Sequence, residues 1–412
     1  MHGNEVLGRE LLLKLADYLC DQYNAGDEEV MRLVNLSRIH LLPSMNPDGW
    51  QIATDTGGQD YLIGRSNNHS VDLNRNFPDL DRIMFGNEES HIEHNNHLLE
   101  QVDRLSEPIQ PETRAVMRLI MSVPFVLSAN LHGGDLVANY PYDTSRSGAM
   151  TEYTSSPDDQ TFKHLALSYA NLHKSMSSPD RKGCGYDGYN FGKQRGITNG
   201  AAWYSVQGGM QDFNYLSSND FEITLELGCD KYPSQDVLEK EWEDNKEALM
   251  HYMWQVMCGS VWTYVRTTRR HSYTTCGSLI NKMCVGAVQV HIGVKGQVKD
   301  AETGKPLANA VIHVKNVTGG RDDDIQHDVT SGALERTLMV LHVSLAVHDG
   351  DYWRLLTPGK YVITAYRDDY RPMSVRVTVV NQPHQEAPRV DFDLTPVVSR
   401  GKVKVDANGP FR

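Results

Sequence analysis

Near its start the chain reads "MHGNEVLGRE", with His2 and Glu5 three positions apart just ahead of an apolar run. Zinc enzymes commonly take three protein ligands from His and Asp/Glu and leave the fourth position to water. Two such ligands often share one turn, with the third far along the chain. On spacing alone, however, an H-x-x-E pair is far more often a surface pair than half of a metal centre. His132, in "SANLHGGD", follows an apolar strand and precedes two glycines. In open α/β sheets, sites form beyond the carboxyl ends of the strands. A lone histidine there is still more often structural, and with 17 histidines in the chain some fall in such places by chance. Glu226, in "ITLELGC", is a carboxylate in an apolar strand, costly unless paired or functional. Beside a metal it could act as general base on a water, and an ion pair with a distant arginine is an equal alternative. "VDLNRNF" sets Asn74 and Arg75 after a short strand. Arginine is the usual two-pronged donor to a carboxylate, although this stretch alone reads as surface.

These residues need elements to hold them. "GRELLLKLADYLCDQY" repeats apolar residues at helical spacing, and "PETRAVMRLIMSV" and "EKEWEDNKEALMHYMWQV" also read as helices. "FVLSANLHGG" and "FEITLELGC" read as buried strands. "RIHLLPSMNPDGW" reads as a short strand broken by an Asn-Pro-Asp-Gly turn. Strands alternating with helices predict an α/β domain with a parallel or mixed sheet. After about residue 256 the texture changes. "GVKGQVKD", "NAVIHVKNV", "KYVITAY", "SVRVTVV" and "RVDFDL" are short strand-like runs between turn residues, the pattern of a small β-sandwich.

At 412 residues the chain is long enough for two or three domains, with ordinary hydrophobic (40%) and charged (23%) content. A net charge of −13 argues against a broad nucleic-acid surface and suits a soluble acidic body that attracts cationic ligands. No apolar stretch is long enough to span a bilayer, and none of the given residues is expected to form a signal peptide. The six cysteines form no CxxC pair, so a zinc ribbon is not expected. Cys20 falls on an apolar helix face and reads as a buried thiol. Sequons at Asn35, Asn68 and Asn316 lean toward secretion.

Taken together, "HGNEVLGRELL", "PSMNPDGW", "GRSNNHSVDLNRNFPDLD", "VLSANLHGGDLVANYPYD", "TNGAAWYS", "GGMQDFNYLSSNDFEITLELGC" and "DGDYWRLLTPGKY" closely resemble the zinc metallocarboxypeptidases of the regulatory (N/E) subgroup. The resemblance covers most of residues 1–256 and much of 291–396. It implies a mixed-sheet α/β carboxypeptidase domain (1–256) followed by a small transthyretin-like β-sandwich (291–396). Residues 257–290 are an unmatched insertion, a second insertion lies near 332–347, and 397–412 form a tail.

Position by position, the resemblance implies one Zn²⁺ held by His2, Glu5 and His132. Glu226 matches the catalytic glutamate, and Arg65 the arginine that polarises the scissile carbonyl. Asn74, Arg75 and Tyr204 match the groups that hold the substrate's terminal carboxylate. Asp143 matches the acid of a pocket for basic residues, and Gln211 a second pocket position. Cys184 and Cys229 match a disulfide of the subgroup. The implied activity is removal of C-terminal Lys or Arg from peptides in the secretory pathway, in granules or outside the cell. Nucleic acid and a stable membrane anchor are not expected partners. In the family a signal peptide and further strands precede the stretch matching "MHGNE", so the chain is expected to begin inside the catalytic domain. A non-catalytic peptide-binding or sorting protein on the same fold is the alternative. A zinc amidohydrolase acting on other acyl groups would not require the Asn74, Arg75 and Tyr204 clamp.

Overall fold

Strand β4 (Phe221–Leu227) is buried at every position, although Glu222, Thr224 and Glu226 alternate with apolar residues along it. It lies inside a sheet of order β1-β4-β2-β3, with β1 Leu127–His132, β2 Leu136–Tyr140 and β3 Ile197–Asn199. β1 runs parallel to β4 and its register sets His132 opposite Glu226. β2 runs antiparallel to β4 and sets Val137 opposite the same glutamate. β3 joins β2 in parallel, so the sheet is mixed, as expected. The computed structural model describes residues 1–58, 60–92, 97–98, 108–185, 189–256, 292–332, 350–382 and 385–397. Both expected insertions, and all but the first residue of the expected tail, fall almost wholly outside them.

Helices cover this sheet. α1 (Leu7–Ala25) buries Leu7, Leu11, Leu15 and Leu19, one residue per turn, and stops at Gly26 in the left-handed region at φ 85°. α9 (Leu238–Trp254) packs beside it, and α6 (Asp159–Ala170) contacts α9 and β2. The remaining helices are α2 (Glu28–Leu36), α3 (Pro47–Asp55), α4 (Leu80–Glu89), α5 (Pro111–Ser122), α7 (Gly200–Trp203) and α8 (Met210–Ser217). α1, α5 and α9 correspond to the three helices expected from periodicity.

The stretch "RIHLLPSMNPDGW" departs from expectation. Residues 38–42 form no strand, and Asn-Pro-Asp-Gly opens α3 instead of making a turn. The buried Asn46 side chain accepts from the Gly49 N–H at 2.8 Å, and Pro47 occupies the first helical turn, where its missing N–H costs nothing. Asn46→Ala should therefore lower stability by about 1 kcal/mol, read as a shift of the denaturation midpoint. An unshifted midpoint would remove the capping role.

The second core is a β-sandwich. One sheet has the order β10-β9-β6-β7 and the other β11-β5-β8. The strands are β5 Val294–Asp300, β6 Val311–Asn316, β7 Asp323–Thr330, β8 Asp351–Arg354, β9 Gly359–Tyr366, β10 Met373–Val379 and β11 Phe392–Leu394. Alternate residues such as Ile312, Val314, Tyr361, Ile363 and Ala365 face its interior. The sandwich is tied to the first core by the fully buried Arg354, which donates to Asp158 Oδ2 at 2.9 Å. Asp158 Oδ2 also accepts from the Tyr215 hydroxyl at 2.8 Å, and the Tyr215 ring stacks on His327 of β7.

Cys184 and Cys229 form the expected disulfide, linking the segment after β4 to a loop 45 residues earlier. Cys20 corrects the sequence reading: it is half-buried and disulfide-bonded, not a free thiol. Helical periodicity places a cysteine on a face but carries no information about a distant sulfur.

Candidate metal centre and substrate cavity

The "HGNE" turn sits where α1 meets the end of β1. Gly3 is required there, because a Cβ would lie 2.1 Å from the backbone of Gly49 and Trp50 in α3. The Val6 N–H is fixed by the Lys231 carbonyl at 3.0 Å, and the Asn4 amide donates to the Tyr61 carbonyl at 2.8 Å. His2, Glu5 and His132 are thereby brought together, all buried, with ligand-capable atoms within 4.8 Å of one another. Glu5 Oε2 lies 2.8 Å from His2 Nδ1 and 2.9 Å from His132 Nδ1.

Two imidazoles and one carboxylate are the donor set of a catalytic zinc site, and the protonation states fit it. Burial pushes His132 down to about 3, so it stays neutral with a lone pair to offer. Burial opposes the Glu5 charge, yet both imidazoles hold this carboxylate well below its usual range. Among the described residues His132 Nε2 has no hydrogen-bond partner although buried, leaving a ring fixed by packing and by its Nδ1 contact.

A second tier supports this group. Asp72 Oδ1 lies 3.0 Å from His2 Nε2, the carboxylate-on-imidazole arrangement that fixes the orientation of a ligand ring. Asp72 Oδ2 accepts from Arg65 Nε at 2.9 Å, which aims Arg65 Nη1 at Glu5 Oε1, 3.3 Å away. Despite burial, its bonds to His2 and Arg65 hold the Asp72 carboxyl well below the ordinary range. Lys231 Nζ reaches Glu5 Oε1 at 2.9 Å and lies 4.0 Å above the Tyr61 ring. Sequence reasoning named neither Asp72 nor Lys231. Asp72 stands inside the quoted "VDLNRNF" stretch, so a signal existed. Nothing in the sequence marks Lys231.

Glu226 lines the same cavity of about 460 Å³. Burial, then the negative charge of Glu5, raise its carboxyl well above the usual range, and its Oε2 has no partner among the described residues. Asn74 and Arg75 sit in a tight 3₁₀ turn capped by Asp72 Oδ1, which accepts from the Asn74 N–H at 2.9 Å. Asn74 Oδ1 accepts from the Met210 N–H at 3.0 Å, fastening that turn to α8. The Arg75 and Tyr204 side chains are exposed to the cavity.

Asp143 lies buried in the cavity wall, its Oδ1 accepting from Gln211 Nε2 at 3.0 Å and from Asn139 Nδ2 at 3.1 Å. Burial raises its carboxyl to about 6. Gly200 makes room for it, since a Cβ there would lie 1.8 Å from Asp143 Oδ1. Gln211 is not on the cavity wall; it stands behind Asp143 and holds it. Asn139 and Gly200 were missed by sequence reasoning, although both fall within stretches quoted above. The structure thus gathers ten predicted site residues on one group and its surroundings, nine lining the cavity directly and Gln211 from behind.

With this geometry in place, the chain matches the model of a protein family described as zinc carboxypeptidase over residues 1–248. It is 42% identical over 407 residues to carboxypeptidase E of Caenorhabditis elegans, covering 96% of this chain and 74% of the relative. It is 43% identical to the carboxypeptidase N catalytic chain of Rattus norvegicus, covering 92% of this chain and 70% of the relative. Against mouse carboxypeptidase Z the identity is 39%, covering 98% of this chain and 52% of the relative. Among the described residues no helix is long and apolar enough to cross a membrane.

Proposed function

The chain belongs to the zinc carboxypeptidase family, and from that premise we propose that it removes C-terminal Lys or Arg from peptides, as in peptide-precursor processing. One observation carries the basic preference: a buried carboxylate, Asp143, faces the cavity that also holds Asn74, Arg75 and Tyr204. A cationic side chain entering that space meets a fixed acceptor whose other partners are neutral amides.

One zinc ion, held by His2, Glu5 and His132, would supply Lewis-acid polarisation and a water acidic enough to attack near neutral pH. Glu226 takes the proton from the attacking water and returns it to the leaving amine. Arg65 donates to the carbonyl oxygen as negative charge develops there. Arg75, with Asn74 and Tyr204, binds the free terminal carboxylate, which makes the enzyme an exopeptidase. The Cys184–Cys229 bridge supports a secretory or extracellular setting, where disulfides persist.

The test is release of arginine from a blocked dipeptide by the zinc-loaded protein, followed across pH. Asp143 takes up a proton as pH falls through about 6, so KM for the Arg substrate should rise below that value. A peptide ending in Ala should not show this rise. Absence of both stoichiometric zinc and arginine release would instead leave the non-catalytic peptide-binding reading.

A further inference from the structure

Behind Asp143 lies a pair of carboxyl groups that the reaction does not touch. Asp81, in the first turn of α4, is 3% exposed, and Asp212, in the first turn of α8, is 2% exposed. Asp212 Oδ2 accepts from the backbone N–H groups of Asp143 at 2.7 Å and Thr144 at 3.2 Å. It thus ties the loop that carries Asp143 to the helix that carries Gln211.

Asp81 Oδ2 lies 3.2 Å from the Thr144 hydroxyl, whose other contact is the Val206 carbonyl at 2.6 Å. A hydroxyl has one hydrogen, and a carbonyl can only accept. The shorter contact takes the threonine proton, so the longer one needs a proton from Asp81. Asp212 meets the same Thr144 through its backbone N–H, and among the described residues the Oδ1 atoms of both acids have no hydrogen-bond partner. The strongest charged neighbours of the pair are themselves acids: Asp79 on α4 and Asp143 on the loop after β2. Tyr142 also faces the pair, and Glu88 of α4, which acts on Tyr142, is paired to Arg146. Two buried carboxyls that meet at one threonine, among further acids, do not both stay ionised.

We propose that Asp81 and Asp212 are positioning residues that carry one proton between them, held on Asp81. Asp212 is the carboxylate that anchors the Asp143 loop, and Asp81 is the neutral acid that holds Thr144 beside it. Burial raises both groups well above the usual carboxylate range, in the sense the hydrogen count requires. Loss of that proton at alkaline pH would set two negative charges under the loop and displace Asp143. The functional part of this proposal rests on the reading of Asp143 as the acceptor for basic residues.

Infrared difference spectra of the full chain, wild type against Asp81→Asn, should show loss of one protonated-carboxyl band at neutral pH. Asp81→Ala should raise KM for the Arg-terminated dipeptide about tenfold with little change in kcat. Asp81→Asn, whose amide can donate the same hydrogen, should restore KM and flatten any alkaline rise in it. No band difference, or no rescue by Asp81→Asn, overturns the proposal. So does a calcium-dependent rise in melting temperature lost in Asp81→Asn, since a cation would then stand in place of the proton. Should Asp81→Ala fail to fold, the infrared comparison and the Asp81→Asn pH profile still decide. A persisting band without preference for Arg over Ala would sink the basic-residue reading and spare the pair. An intact preference without the band would sink the pair alone.

Discussion

Glu226→Gln should lower kcat by roughly 10²–10⁴-fold, the usual worth of a positioned acid–base group. The substitution keeps the size of the side chain and removes only its ability to take a proton. Register places this residue opposite His132, at the level of the candidate metal ligands, and its Oε2 has no partner among the described residues. Zinc content should stay at the wild-type level, because Glu226 is not among the three converging donors. KM for a blocked Arg dipeptide should change little, since Asp143 and the carboxylate clamp are untouched. Metal analysis alongside steady-state rates checks both halves. A variant that turns over at the wild-type rate would remove Glu226 from the mechanism, and one that loses zinc would make it a ligand.

Asp143→Ala should cost a C-terminal Arg substrate about 3–5 kcal/mol, or between about 10² and 10⁴ in kcat/KM. The loss is large because the guanidinium would enter a buried space with no counter-charge. The donors from Asn139 and Gln211 would at the same time lose their acceptor. A peptide ending in Ala places no charge in that space, so its kcat/KM should change far less. Parallel assays on the two peptides decide the matter. Equal losses would mean that Asp143 only shapes the wall, leaving a carboxypeptidase of some other preference.

Much of the architecture could be read from residue order. α1, α5 and α9 follow from apolar residues at helical spacing, and β1 and β4 from short apolar runs between turn residues. Where one local signal had two outcomes, residue order could not choose. Asn-Pro-Asp-Gly suits a turn and a helix start equally, and α3 formed because Asn46 is buried with its side chain closing on Gly49.

The same division runs through the site. The types of the candidate metal ligands, the glutamate at position 226 and the proposed clamp residues were all readable as motifs, because each motif is local. Residues that act only through a distant partner were not. Asp72 meets His2 across 70 positions, Lys231 meets Glu5 across 226, and Asp212 meets the Asp143 backbone across 69. Sequence thus determined which chemical groups are present. Tertiary structure alone decided which groups meet, because strand register and helix docking close those distances and composition along the chain does not encode them.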